Sequence, residues 1–339
     1  MKIGYYVRRL TKMSFKSMFL SIDKVHKRSN KNKIVIFFDM VGCSLKYSAG
    51  YSDYEYFKFE ELSNKQRKTY ITRGINNVYI KKLNDPKYCH IFDNKVIFNK
   101  KFTKFLNRDF IDLEEKSCEE FIKFAKKHKT FIVKPLDADC GIGVEKIDID
   151  NEKSLEETYN RLKENKQFLA EEYVKQIKEI NDIYPNSVNT IRIVSARVNG
   201  KTTILFELIR IGNSGHVVDN FHHGGMYAII KKGIISTNAV DKLGNEYEYH
   251  PVTKTKIKGF KIPMYDKVIK FVNDASEVVP EVGFVGWDIS VTKDGPVMIE
   301  GNNLPAYDFY QSEIAIDDSK IGLKPKFDEA IFGVKNEKN

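Results

Sequence analysis

Two stretches hold residues whose types and spacing could do chemistry together. In FIVKPLDADCGIGVEKI, from Phe131 to Ile147, a buried-strand pattern ends on Lys134, just before a proline. A polar stretch follows, with Gly141 and Gly143 spaced to expose backbone N–H groups. A cation delivered to the mouth of a glycine loop suits an anion, most commonly a nucleotide phosphate. The plainer reading is a lysine snorkelling out of a strand end into a hairpin turn, and the loop alone does not decide between them. In GWDISVTKDGPVMIEGN, two apolar strands flank KDG, a turn centred near Asp294. A three-residue turn without a bulge would set Asp288 directly opposite Glu300, and Asn302 would share a face with Glu300. Like charges opposed across a ladder are destabilising unless a cation or a proton compensates. Two carboxylates and a carboxamide oxygen on one face make a hard oxygen site suited to magnesium; the plainer reading is a solvated hairpin rim. A lysine with backbone donors on one lobe and a metal site on another would together clamp a triphosphate.

The elements that must position these residues can be read in outline. Residues 34–40, IVIFFDM, form an apolar run that we read as a short strand, and residues 50–99, rich in Tyr, Phe and Asn, as a small irregular N-terminal lobe. Ser117-Cys118-Glu119-Glu120 and Ser154-Leu155-Glu156-Glu157 have the form of capping boxes and predict helices to about Lys129 and Asn165. Between and after them, the stretches ending at Lys134, starting at Val144 and covering FLAEEYV read as strands, giving an α+β lobe over about 105–175. Beyond it lie TIRIVSARV, KTTILFELIRIG and GMYAIIKKGIIS, with VNGK a hairpin turn, and a helix over about 264–279 ended by Pro280. The expected organisation is a basic N-terminal segment and lobe over 1–95, a central lobe with the glycine loop over 96–175, and a C-terminal lobe with the metal site over 176–339.

A chain of 339 residues with 42% hydrophobic and 30% charged residues can bury a real core. No apolar run approaches the roughly 18 residues needed to cross a bilayer, and the N-terminus does not read as a secretory signal. The four cysteines form no CxxC pair, which argues against a disulfide framework or structural zinc and for a reducing cytoplasm. The formal net charge of +10 fits an anionic partner, or simply a lysine-rich surface. From Met1 to Lys33, basic residues interleave with Leu10, Met13, Phe15, Met18, Phe19, Leu20, Ile22 and Val25. That composition suits an amphipathic helix lying on an anionic membrane, at the inner surface of the cell, or a helix packed on its own domain. No nucleic-acid recognition motif is present, so no specific nucleic-acid partner is expected.

In order along the chain, DNKVIFNKKF, FIVKP, the glycine loop, FLAEEYV, VNTIRI, VDNFHHGG and GWDIS…MIEGN resemble the ATP-grasp superfamily, in particular its sugar-transfer-associated branch. The resemblance runs from about Asn94 to Tyr310 and more loosely over 50–63. It implies an α+β ATP-grasp fold in which two lobes clamp ATP. Lys95 would reach a phosphate, although the family's acidic-Lys pair here reads Asn94-Lys95. Lys134 would be the second nucleotide lysine, and Asp139 to Gly143, with Gly141, the loop that closes over the phosphates. Glu171 would receive the adenine amino group, with the Tyr173 and Val174 backbone at the hinge and Glu179 near the ribose. Asp288, Glu300 and Asn302 match the magnesium ligands, for two ions, with manganese an alternative. Relatives that ligate amino acids carry an arginine two residues before the metal aspartate; that position is Gly286, and Arg192 or Arg210 would take over its catalytic role. Asp219, Asn220, His222, His223, Gly224 and Gly225 would form a substrate-facing loop.

The activity implied is a carboxylate–amine ligase working through an acyl phosphate. Its partners would be a small-molecule or glycan-linked carboxylate and an amine donor, in modification of a sugar or cell-surface polysaccharide (capsule) precursor. Alternatives are an amino-acid or peptide ligase of small metabolites, a kinase-like phosphotransferase, and a nucleotide-binding protein without turnover.

Overall fold

The computed structural model describes residues 14–137, 141–213, 215, 219, 221 and 224–334. Residues 1–13 of the expected basic segment, together with Asp139, Asn220, His222 and His223, lie outside the described residues. The chain divides into two compact units: residues through Lys81 together with those from Ala306 onward, and Lys82–Pro305. Residues beyond 305 thus group with the N-terminal segment, where the sequence reading had placed them in the C-terminal lobe.

The first unit is helical. Helices α1 (Phe15–Ser29), α2 (Lys33–Tyr47), α3 (Tyr51–Tyr56), α4 (Asn64–Arg67) and α5 (Arg73–Leu83) follow one another closely. The expected strand at 34–40 is therefore α2. A seven-residue apolar run does not distinguish strand from helix, but the buried positions do. Ile36, Met40, Cys43 and Tyr47 recur at helical spacing and point into a core with Tyr54, Phe57 and Phe59, and Asn32 caps the helix by accepting from the Ile34 N–H. Asp39 within that run turns inward to Arg67, at 2.8 and 2.7 Å, and to the Tyr54 hydroxyl. The region read as an irregular lobe over 50–99 is likewise a series of short helices. In α1 the apolar stripe splits: Met18, Ile22 and Val25 are buried in the unit's own core, while Phe15, Phe19 and Leu20 stay exposed. Lys24 pairs with Glu55 and Arg28 with Glu60, so α1 is first of all a structural helix.

The second unit begins with α6 (Pro86–Asp93), α7 (Lys95–Lys101) and α8 (Thr103–Leu106). It then builds a four-stranded antiparallel sheet in the order β1-β4-β2-β3, from β1 (Phe110–Asp112), β2 (Thr130–Lys134), β3 (Glu145–Asp148) and β4 (Leu169–Glu172). Helices α9 (Cys118–His128) and α10 (Leu155–Glu164) bury Phe121, Phe124, Tyr159 and Leu162 in a core shared with Phe131 and Val133. The Ser117 capping box forms with both reciprocal bonds. At α10, Ser154 accepts from the Glu157 N–H, but its hydroxyl donates to Glu156 rather than drawing a return bond from Glu157, so this is a simple N-cap.

The larger sheet has eight strands. Its main path is β10-β9-β7-β6-β5-β11-β12, with β8 on β7. The strands are β5 (Thr190–Val198), β6 (Lys201–Ile211), β7 (Met226–Lys231), β8 (Ile234–Ile235), β9 (Ala239–Val240), β10 (Glu246–Tyr247), β11 (Phe284–Thr292) and β12 (Gly295–Asn302). Asn199 and Gly200 both take positive φ, as a two-residue I′ hairpin requires, and join β5 to β6. Helix α11 (Tyr265–Ala275) covers one face. Helices α6 to α8 bring Phe92, Phe98 and Phe102 onto Trp287 and β12. The approach is close enough that a Cβ on Gly301 would sit 2.7 Å from the Phe98 ring, so position 301 has no room for a side chain. Through this packing, Lys95 and Asn99 of α7 are carried next to the end of β12.

Candidate functional site

Lys134 ends β2 with its Nζ 2.5 Å from Glu171 Oε2 on β4. Ile132 is the residue paired with Glu171, so Lys134 is its diagonal neighbour on the same face. Glu171 is fully enclosed. Its Oε1 also accepts from Arg108 Nη2 at 2.6 Å and Nε at 3.1 Å and from Asn99 Nδ2 at 2.8 Å. Burial works against ionisation here, but Arg108, Lys134 and Asn99 outweigh it and hold the Glu171 carboxyl down at about 2. Lys95, Asn99, Lys134, Glu171 and Glu300 line one pocket, with Phe98 in its wall. The Lys95 N–H also bonds to the Leu136 carbonyl at 3.2 Å, which ties the start of α7 to the chain leaving β2. Asn94, standing where an acid was expected, has a local job: its side chain caps α7, accepting from the N–H groups of Val96 and Ile97.

Asp288 does lie opposite Glu300, for a different reason than the one read from the sequence. The turn has two residues, with Thr292 paired to Gly295, and the register runs without a break to Ile289 and Met298. A β-bulge then inserts Ile299, and the next pair is Asp288 with Glu300. The bulge restores the register that a three-residue turn would have given. It also frees backbone carbonyls, which Arg108 occupies: Nη1 donates to Met298 O and Nη2 reaches Ile299 O at 3.5 Å. One guanidinium thus joins Glu171 of the smaller sheet to the bulge of the larger.

The charge on Asp288 is compensated by arginines. Arg192, its pairing partner on β5, donates Nε to Oδ1 and Nη2 to Oδ2, the latter at 2.6 Å, and Arg210 Nη1 reaches Oδ2 at 3.2 Å. Burial opposes ionisation of Asp288, and Arg192 followed by Arg210 overcomes it and holds the carboxyl below the usual range. The Asn302 amide is satisfied with its nitrogen on Glu300 at 3.0 Å and its oxygen facing Arg192 Nη2 at 3.2 Å. Gly286 has a counterpart in space: a Cβ there would meet Arg192 Nη1 at 3.2 Å and Cδ at 3.3 Å. The guanidinium of Arg192 therefore lies beside the position from which a residue 286 side chain would extend.

Asp219 joins the same group. Its buried carboxyl accepts from the Thr190 N–H at 2.9 Å and the Thr190 hydroxyl at 2.5 Å. Burial pushes it up, Arg210 and Thr190 pull it down, and Asp288 adds to the rise; the net direction is upward. Gly224, with φ of 90°, and Gly225 follow just before β7. In the glycine loop, Gly141 and Gly143 have φ of 73° and 72°, the left-handed region where glycine is favoured. Gln167 holds the far end of that loop by donating to Gly143 O at 2.9 Å. Tyr173 and Val174 follow β4, the Tyr173 ring carrying Lys146 Nζ at 4.2 Å. They and Glu179, exposed on a short helix at Lys178–Asn181, are not among the residues lining the pocket.

Arg108 and Asn99 escaped the sequence reading. Arg108 stands in FLNRDFI next to an aspartate, where it looks like a surface charge; it lies two residues before β1, which pairs with β4. Among the described residues, Asp109, His128 and Glu172 also come together beside β4, with Lys127 already bonded to Asp109, which makes them a surface ion network.

As for hard-cation chemistry, Glu300, the Asn302 carboxamide and the Asp288 Oδ1 lone pair left by Arg192 are oxygen donors of the kind magnesium takes. The residues fit that ion if the Asn302 amide turns its oxygen from Arg192.

A family model described as sugar-transfer associated ATP-grasp matches residues 74–322. No curated protein matches the chain. Among solved structures, an L-amino acid ligase from Bacillus licheniformis is 16% identical with a TM-score of 0.42, over 71% of this chain and 48% of that one. The ATP-grasp ligase PsnB, complexed with a precursor peptide and AMPPNP, is 12% identical with a TM-score of 0.44, over 75% of this chain and 63% of that one. D-alanine–D-alanine ligase from Bacillus anthracis is 16% identical with a TM-score of 0.41, over 74% and 70%. The chain thus spans about half the length of the first of these and under two thirds of the second. Together with the motif order and the two antiparallel sheets, the match over 74–322 shows that the chain belongs to the sugar-transfer associated ATP-grasp family.

Proposed function

We propose that the chain is an ATP-dependent carboxylate–amine ligase acting through an acyl phosphate, on a sugar or cell-surface polysaccharide precursor. A substrate carboxylate oxygen attacks the γ-phosphorus of ATP and ADP leaves; an amine nitrogen then attacks the acyl carbon, forming the amide and releasing phosphate and a proton. One observation carries the reading: Lys95 and Lys134 share a pocket with Glu300, so cations for phosphate and an oxygen donor for a metal face one small space.

In that space Lys95 and Lys134 would hold phosphate oxygens, and Glu171, paired with Lys134, would receive the adenine amino group. Binding of phosphate would draw Lys134 away from Glu171, whose charge Arg108 still compensates. Asp288, Glu300 and Asn302 would hold magnesium, two ions or manganese in their place, and when bound it supplies charge neutralisation and a template for the phosphate oxygens. Arg192 and Arg210 stand ready to steady negative charge that develops beside Asp288, at no cost of reorganisation during the step. Asp219, Gly224 and Gly225 would contribute to the substrate side of the site, and the loop carrying Gly141 and Gly143 would exclude water from the acyl phosphate. The enzyme would work in the cytoplasm.

A nucleotide-binding protein without turnover is the competing reading, favoured by the arginines that already occupy Asp288. The deciding experiment is ADP release from magnesium-ATP across a panel of carboxylates and amines, with Glu300→Gln as control. Carboxylate-dependent ADP release that Glu300→Gln lowers by orders of magnitude supports the ligase. Tight ATP binding with no release across the panel sinks it, and so does a Glu300→Gln variant of unchanged activity.

A further inference from the structure

The first unit carries a surface that the nucleotide site does not use. On α2 the buried residues Ile36, Met40, Cys43 and Tyr47 define the inward side. Ile34, Phe38, Val41 and Leu45 recur at spacings of four, three and four residues on the opposite side, where Val35 joins them. These five are between 41 and 66% exposed. A helix apolar on both sides is normally buried on both sides, and contiguous apolar patches on soluble proteins mark sites of interaction. Two further rings, Phe15 and Phe19 of α1, are each 57% exposed.

The charges around this face select the partner. Lysines stand at both ends of the stripe, Lys33 first in the helix and Lys46 next to last. Lys33 is shared with Asp23 at 2.6 Å, both half exposed. The only acid within α2, Asp39, is turned inward to Arg67 and Tyr54. On α1, Lys16 and Lys27 are exposed as well, and residues 1–13 add Lys2, Arg8, Arg9 and Lys12 in sequence. A second copy of the chain, docked through the same face, would bring lysine against lysine whichever way the helices ran. An anionic lipid surface instead accepts apolar side chains below the headgroups and lysines among them. We infer that the outward face of α2, with Ile34, Phe38, Val41 and Leu45 as its apolar anchors, docks the protein on an anionic membrane. This places the docking surface on α2, where the sequence reads as a strand, rather than in the basic segment from Met1 to Lys33.

The test is co-sedimentation of the full chain with vesicles of phosphatidylcholine alone and of phosphatidylcholine mixed with phosphatidylglycerol. The variants are Phe38→Glu/Val41→Glu and, separately, Lys46→Glu. The expected result is binding to the mixed vesicles, weakened about tenfold or more by the glutamate pair, and less, in a salt-dependent way, by Lys46→Glu. Thermal unfolding should be unchanged, because the substituted groups face solvent; if the glutamate pair melts early, Phe38→Ser/Leu45→Ser takes its place. Equal binding to both kinds of vesicle, no binding by the wild type, or equal partitioning of wild type and variants overturns the proposal. So does a dimer in light scattering that the glutamate pair turns into a monomer, which would assign the face to a second copy. None of these readouts depends on ATP, so failure here leaves the ligase reading standing, and the reverse holds too.

Discussion

Replacing Arg108 by methionine tests the joint on which the site is built. Arg108 and Glu171 are both almost wholly enclosed, with side chains 3 and 2% exposed. Breaking a buried pair from one side typically costs 3–5 kcal/mol, because the remaining charge is left uncompensated. Lys134 at 2.5 Å and Asn99 at 2.8 Å stay with Glu171, which argues for the lower end, about 3 kcal/mol. The Met298 carbonyl at the bulge loses its donor, which adds about 1 kcal/mol. The expected loss is about 4 kcal/mol, or about 10 °C in melting temperature for a unit of this size. Urea and thermal unfolding of wild type, Arg108→Met, Glu171→Gln and the double variant form a cycle. The double variant should be more stable than Arg108→Met, because neutralising Glu171 removes the orphaned charge. pH adds a second readout. Arg108 and Lys134 lower the Glu171 carboxyl from 4.5 to about 2, a stabilisation of about 3 kcal/mol. That contribution is full above pH 4.5 and is lost as pH falls towards 2; in Arg108→Met the folded-state carboxyl rises towards its ordinary value, so the acid loss becomes smaller and is complete at higher pH. A single variant costing less than about 1 kcal/mol, or a double variant no more stable than Arg108→Met, would refute the reasoning.

Gly143→Ala places a Cβ 2.7 Å from Pro135 Cγ at a φ of 72°, so the glycine loop should be strained by about 1–2 kcal/mol; calorimetry should show reduced nucleotide affinity and a melting temperature lower by about 3–5 °C, and unchanged affinity would remove Gly143 from the site. His250 is buried with Nε2 at 2.9 Å from Gly212 O and Nδ1 accepting from the N–H groups of Val252 and Thr253. Burial therefore holds the ring neutral and its pKa below 6.5. The unfolded chain gains that proton first, so stability should fall as pH drops below 6.5, and His250→Gln should flatten the slope in a pH series of urea midpoints.

Local chemistry was enough for much of this protein. Ser117 and Glu120 meet within one helical turn, Asn199-Gly200 can only make a tight reversal, and Gly141 and Gly143 belong where φ is positive; each depends on residues a few positions apart, and each was legible before any fold. The opposition of Asp288 and Glu300 was legible as well, but through a turn one residue too long and a bulge unforeseen, because a bulge is chosen by what receives its carbonyls and Arg108 lies far away in sequence. The apolar run at 34–40 was misread for the same reason: whether seven apolar residues coil or extend depends on the core they meet, and Tyr54, Phe59 and Arg67 supply a helix-shaped one. By itself, then, the sequence determined the Ser117 capping box, the Asn199-Gly200 reversal and the family. Tertiary structure alone decided which charges meet, giving Lys134 to Glu171, Asp288 to Arg192 and the bulge to Arg108, since burial makes a pairing energetically decisive only after distant segments have excluded water together.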